Sequence, residues 1–137
     1  MGVSTKSKAT GTAAETAVVR YLQSWWPAAE RRALSGSKDK GDIAGIPGTV
    51  IEVKAAARLE LAAWRRETWA EMEHAGASTC VLVVKRSYKP VGQWDAFIPQ
   101  TLLPGPLAEI NEESEAESWL RMDLRLAVAM IETIQSA

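Results

Sequence analysis

Three ionisable residues stand together in an otherwise apolar stretch, GDIAGIPGTVIEVK at residues 41–54: Asp42, Glu52 and Lys54. A solvated loop would carry more polar residues, and a buried strand fewer charges. If Asp-Ile-Ala and Thr-Val-Ile-Glu-Val-Lys pair as a hairpin around Ile46-Pro47-Gly48, Ile43 faces Ile51 and Asp42 faces Glu52. Opposed residues of an antiparallel pair project to the same side, with Cβ atoms about 4.5–5.5 Å apart. Because strand side chains alternate with period two, Lys54 joins Glu52 on that side, and Ile43, Ile51 and Val53 point the other way into a core. Two carboxylates so close repel each other, and one pKa rises unless a cation lies between them. Lys54 supplies one positive charge. A hard divalent ion such as Mg²⁺ would take an oxygen from each carboxylate, a backbone carbonyl and several waters. An ion held there can activate a water and neutralise a phosphate, with the lysine stabilising the developing oxyanion or orienting the water. The competing interpretation is a surface salt bridge across a hairpin, which is common and worth little.

The elements that must position these residues can be traced along the chain. TGTAAETAVVRYLQSWW predicts a first helix, with Thr10 or Thr12 as its cap and Glu15 three residues after Thr12 in capping-box spacing. Ala14, Val18, Leu22 and Trp25 fall on one face of it, with Ala17 and Tyr21 beside them, and Pro27 ends it. ERRAL, residues 30–34, predicts a strand, followed by the polar loop SGSKDKG, the DIA strand, the GIPG turn and the TVIEVK strand. LELAAWRRETWAEMEHAG is a second helix, since Leu61, Trp64, Thr68, Met72 and Ala75 keep a three-to-four spacing and Gly76 suits the position after its end. STCVLVVKR is a continuous β-branched run and predicts a buried strand. WDAFIP predicts another, WLRM a short edge strand, and DLRLAVAMIETIQ a closing helix capped by Asp123. A strand–helix–strand crossover between residues 49 and 84 requires a parallel pair, so the expected class is α/β, a mixed central sheet flanked by helices. We expect a flexible arm at residues 1–10 and one domain over 11–137, with an exposed acidic loop at about 105–117.

A chain of 137 residues can bury a full core without staples. Its single cysteine excludes an internal disulfide and suits a reducing cytoplasm, and Cys80, within an apolar run, is expected to be an inert buried thiol. No apolar stretch approaches the roughly 20 residues that cross a bilayer, and the N-terminus lacks an apolar signal core. The net charge of −1 conceals an asymmetry: residues 1–66 hold 11 Lys and Arg against 6 Asp and Glu, and residues 67–137 hold 5 against 11. Arg31, Arg32, Lys38, Lys40, Lys54 and Arg58 cluster around the stretch in question, a patch that could meet a polyanion. The competing interpretation is scattered surface charge.

Glu15 on a first helix, then Gly41-Asp42, then Ile51-Glu52-Val53-Lys54 followed by a helix, is a pattern that resembles the PD-(D/E)XK nuclease superfamily. Within it, order and spacing look most like the small archaeal-type Holliday junction resolvases and their phage relatives, over roughly residues 11 to 99. The resemblance implies a restriction-endonuclease-like sheet and Mg²⁺ as cofactor, with Mn²⁺ as a substitute. Asp42 and Glu52 would bind the ion together with the carbonyl of Val53, Lys54 would be the catalytic lysine, and Glu15 would complete the metal site directly or through water. Ser35 or Ser37 would match the small polar loop near the scissile phosphate, with Lys38 and Lys40 gripping the backbone nearby and Arg32 and Arg58 extending the DNA contact. The partners implied are branched or duplex DNA and a second copy of the chain, since a four-way junction needs two symmetric cuts. Three features depart from the pattern. Gly41 stands where a proline is usual, Ala55-Ala56-Ala57 follow Lys54 where a polar residue is common, and the acidic segment from Glu109 to Glu117 lies outside the resemblance.

Other residues have plainer roles. Glu15 as a capping-box partner competes with Glu15 as a ligand, because one side chain cannot easily do both. His74 near the end of the second helix suits the helix dipole, and the six tryptophans are foremost packing anchors, with base stacking by one of them a secondary role. The expected function is a Mg²⁺-dependent structure-selective DNA endonuclease. The alternatives are another nuclease of this chemistry, acting on DNA ends or in repair or restriction, and a non-catalytic DNA-binding protein with the same fold.

Overall fold

A computed structural model of the chain describes residues 5–32, 41–103, 105 and 118–136. The elements run α1 (Thr5–Leu22), β1 (Glu30–Arg31), β2 (Ile43–Ala44), β3 (Thr49–Lys54), α2 (Leu61–Ala75), β4 (Thr79–Val84), β5 (Asp95–Pro99), β6 (Trp119–Asp123) and α3 (Leu124–Ser136). The strands form one six-stranded sheet in chain order. Neighbours are antiparallel except β3 and β4, which run parallel from Thr49 opposite Thr79 to Lys54 opposite Val84. Parallel strands cannot be joined by a tight turn, and α2 is the crossover that joins this pair. Among the described residues the protein is thus α/β, three α-helices on a mixed sheet, as its periodicities predict.

β3 and β4 sit at the centre and are buried on both faces. On one face Ile43, Ile51, Val53, Val81 and Val83 meet Ala14, Val18 and Leu22 of α1 and Leu124, Ala127, Val128 and Ile131 of α3. On the other, Val50 and Cys80 meet Met72 of α2, and Leu82, Val84 and Phe97 meet Trp64. The predicted stripe of α2 holds, with Trp64, Thr68 and Met72 buried. Gly76 follows the helix at φ +64, and the amides of Gly76 and Ala77 cap the carbonyls of Glu73 and Met72. Cys80 is fully buried, and burial pushes its thiol pKa up, so it is the inert thiol expected. No helix among the described residues is long and apolar enough to cross a membrane.

The first helix differs from expectation. It begins at Thr5, so residues 5–10, assigned to the arm, form its opening turns, and it ends at Leu22, ahead of Pro27. Thr10, Thr12 and Glu15 are interior residues, and there is no capping box at Thr12: no proline or chain reversal intervenes before Thr5, so the helical hydrogen bonds continue through these positions. Asp123, expected as the cap of the closing helix, ends edge strand β6 and stands immediately before Leu124, the first residue of α3, which is the cap position. Trp64 and Trp94 are buried, and Trp26, Trp69 and Trp119 pack against core clusters. Trp25 is the exception, 38% exposed, with its ring 5.0 Å from that of Tyr21.

Candidate active site

The hairpin register is the one the sequence predicts, with Ile43 opposite Ile51. Asp42 does not continue it as a regular rung. Its amide bonds the Ile51 carbonyl at 2.9 Å, and its carbonyl accepts the Arg32 amide at 2.7 Å. Its Oδ2 accepts the amide of Val53 at 2.7 Å. β2 is only two residues long, so the strand backbone cannot reach Val53, and a carboxylate oxygen takes up an amide that would otherwise be orphaned. Gly41 makes this turn possible. It holds φ +94, and a Cβ there would lie 2.8 Å from Cγ1 of Val50. Proline is confined to φ near −65°, so the backbone at position 41 is closed to it.

Glu52 lies under α2 and is only 4% exposed. Its carboxyl lies close enough to those of Asp42 and Glu71 for each to shift its pKa, and Nζ of Lys54 lies 3.6 Å from its Oε1. Its Oε2 is buried with no hydrogen-bond donor. Ionised carboxylates only accept hydrogen bonds, so contacts among them hold only with a shared proton or a cation. Burial, reinforced by the charge of Glu52, pushes the Asp42 pKa up to about 8, while the Val53 amide pulls it back. Burial, reinforced by Glu71, pushes Glu52 up to about 9, with Asp42 and Lys54 opposing. Burial lowers the pKa of Lys54, but contact with Glu67 and the charges of Glu52, Glu67 and Asp42 outweigh it, so the pKa is raised and the amine is a cation at neutral pH.

Asp42, Glu52 and Lys54 are therefore brought together as expected. Glu15, on α1, is near enough for its charge to raise the pKa of Asp42, but its carboxylate is ion-paired with Arg31 at 2.9 Å. Arg32 is half-buried beside Asp42, and its Nε is buried without an acceptor. Arg58 is exposed in the segment after β3. Ser35, Ser37, Lys38, Lys40 and the acidic segment 109–117 lie outside the described residues. His74 is exposed in the last turn of α2.

Two residues enter the site without having been expected. Glu67 holds Nζ of Lys54 at 2.9 Å, and Glu71 is buried against Glu52. They stand four apart on α2, so they share a helix face. The signal was present: Glu71 falls seven residues after Trp64, on the stripe that Trp64, Thr68 and Met72 bury. A carboxylate on an apolar stripe needs a polar partner.

The donor set suits a hard divalent cation: two neighbouring carboxyls whose pKa values burial raises, and one buried oxygen without a donor. Among the described residues no three His, Cys, Asp or Glu side chains converge to hold a metal ion. Mg²⁺ commonly takes only one or two carboxylates and keeps its waters, so Asp42 and Glu52 are the two side chains here that could serve as its ligands. Compared with known proteins, the chain matches no family model, no curated protein and no solved structure.

Proposed function

We propose that this chain is a Mg²⁺-dependent endonuclease for branched DNA, of PD-(D/E)XK type and acting as a Holliday junction resolvase. The observation that carries the proposal is the approach of the Asp42 carboxyl, in the bend just ahead of β2, to that of Glu52 on β3, with the Lys54 amine 3.6 Å from Glu52. A surface salt bridge would leave these groups in water, whereas Glu52 is buried and the acids' pKa values are raised. The element order, with Glu52 and Lys54 on a central strand parallel to the strand after α2, suits the restriction-endonuclease-like sheet that the resemblance implies.

Asp42, Glu52 and the carbonyl of Val53 would hold the ion. When bound, Mg²⁺ supplies an activated water and neutralises charge at the scissile phosphate. Lys54 is protonated and steadied by Glu67, so its role is to stabilise negative charge developing on the phosphate oxygens, not to accept a proton. Glu15 must exchange its partner Arg31 to become a direct ligand, or act through water. Hydrolysis that breaks the bond from phosphorus to the 3′ oxygen leaves 5′-phosphate and 3′-hydroxyl ends, as the resemblance implies. Two copies of the chain related by a twofold axis would deliver the paired cuts.

The test is an immobile four-way junction incubated with protein and Mg²⁺ or Mn²⁺, alongside flap, linear duplex and single-stranded DNA. Paired symmetric nicks in the junction are expected. Loss of nucleotides from linear ends alone would move the same chemistry to an exonuclease, and undiminished cutting by Asp42→Asn would remove the mechanism.

A further inference from the structure

The loop between β4 and β5, Lys85-Arg86-Ser87-Tyr88-Lys89-Pro90, has no part in the site described above. All six residues are exposed. Tyr88 is fully so, at 105%, and it alone among the described non-glycine residues has a positive φ, +63. An aromatic residue in the left-handed region is strained, and a ring wholly in water adds nothing to the core. Such a residue persists when its surroundings dictate it. The Lys89 amide closes a turn on the Arg86 carbonyl at 3.3 Å, placing Tyr88 third in the turn, where a positive φ is normally met by glycine or asparagine. The indole of buried Trp94 donates to the Lys89 carbonyl at 3.0 Å, and Pro90 stiffens the exit. The ring is therefore held out on a firm support.

Its surroundings are cationic. Lys85, Arg86 and Lys89 flank it with no acid among the six residues, and among the described residues none of the three is in an ion pair. Protein interfaces favour tyrosine and arginine but are depleted of lysine, and two of the three cations here are lysines. One aromatic face among free cations suits a nucleic acid, whose bases stack and whose phosphates need neutralising. The loop is also placed beside the candidate site: the Lys85 amide bonds the Lys54 carbonyl at 2.9 Å. A cleft of about 220 Å³, lined by Thr10, Ala55, Ala56, Ala57, Lys85 and Ser87, adjoins both. The three alanines, where the nuclease pattern often has a polar residue, are part of its lining.

We propose that this loop is a DNA contact in which Tyr88 stacks on an exposed base at a break in the duplex, while Lys85, Arg86 and Lys89 hold the flanking phosphates. A lone ring can stack only where a base face is open, and inside a paired duplex both faces are taken. Three residues of chain and one strand spacing separate the backbones of Tyr88 and Lys54, at most about 16 Å. Each side chain reaches about 6 Å further, so at about 3.4 Å per nucleotide the limit is roughly eight nucleotides. The placement of a cut within that distance of the discontinuity rests on the nuclease reading; the stacking contact does not.

The test measures binding in Ca²⁺ or EDTA, where cleavage is not expected, to a four-way junction and to a forked duplex carrying 2-aminopurine at the first unpaired position. A fully paired duplex of equal length is the control. Tyr88→Ala is expected to weaken binding to junction and fork roughly 5- to 100-fold, to leave the paired duplex nearly unchanged, and to abolish 2-aminopurine quenching. Tyr88→Trp should retain both signals, and a thermal melt of each variant separates lost contact from lost fold. Lys89→Ala should weaken all three DNAs and lower the salt slope by about 0.9. Equal binding of branched DNA by wild type and Tyr88→Ala overturns the proposal. So does a variant that alters self-association in sedimentation without altering DNA affinity, which would make the loop a protein contact. Asp42→Asn is the control for the catalytic reading. If the wild type cuts, Asp42→Asn does not, and Tyr88→Ala binds normally, the loop falls and the nuclease stands. With Tyr88-dependent binding but no Asp42-dependent cutting, the loop stands and the nuclease falls.

Discussion

Asp42 is held by its own backbone, by the Val53 amide and by the carboxyl of Glu52, and each contact bears on a measurable consequence. Under the proposed mechanism Asp42→Asn removes a cation ligand while keeping the side chain's shape, so junction cleavage should fall at least about 10²-fold with DNA binding largely kept. Single-turnover cleavage and a binding titration check the two halves. Gly41→Pro should likewise reduce the proposed activity, because φ +94 is closed to proline and Asp42 must move. A Gly41→Pro protein as active as wild type would contradict this. The acids also set a pH dependence. The folded pKa values of Asp42 and Glu52, about 8 and 9, lie above the ordinary carboxylate range. Metal-free folded protein thus binds more protons than the unfolded chain across that interval. The stability these protons contribute is complete below about pH 4 and is lost as pH rises through 8 to 9. In EDTA the thermal midpoint should fall between pH 5 and pH 9, Asp42→Asn should flatten the fall, and Mg²⁺ at pH 8 should raise the midpoint. A metal-free midpoint that climbs with pH would refute the burial of these acids.

At the scale of elements, the hairpin β2–β3 and the crossover helix α2 share the work. The hairpin depends on Gly45, at φ +90, where a Cβ would come within 2.1 Å of the Ala28 carbonyl oxygen. Neither atom can yield, since one is backbone and the other is fixed to Cα. Gly45→Ala should cost about 2–4 kcal/mol, read from urea denaturation. α2 contributes differently: it lies over the face of β3 that carries Glu52 and Lys54 and sets Glu67 and Glu71 against them. Glu67 acts through Lys54 and is a positioning residue. Glu67→Gln should lower the turnover of cleavage about tenfold, with substrate affinity little changed. The hairpin register, the span of β3 and the stripe of α2 were legible because each follows from alternation or helical spacing within a few residues. The start of α1 was not legible, since the stretch before Thr10 carries no apolar period.

For the whole molecule, a net charge of −1 understates the described basic surface, which includes Arg31, Arg58, Lys85, Arg86 and Lys89. DNA affinity should therefore fall steeply with salt: contact with about five phosphates gives a log–log slope near −4.5. A slope near zero in a fluorescence anisotropy titration would mean that this surface does not meet the phosphate backbone. The two ends of the sheet, β1 and β6, carry exposed residues, while the apolar strands β3 and β4 are enclosed at its centre. The candidate site thus draws Glu52 and Lys54 from one of these two enclosed strands.

By itself the sequence determined that Glu52 and Lys54 share one face and that a helix must cross between β3 and β4, because strand alternation and parallel pairing are local geometric necessities, whereas Asp42 joins them through a bend outside the strand. Only the tertiary structure decided what lies over that face. Parallel pairing lays α2 on it, so Glu52 is buried, Glu67 and Glu71 become its neighbours, and the acids' pKa values rise by desolvation. It was likewise tertiary placement that tied Glu15 to Arg31 and set the Tyr88 loop beside Lys54. Distances between residues remote in the chain are set by packing, and no local period encodes them.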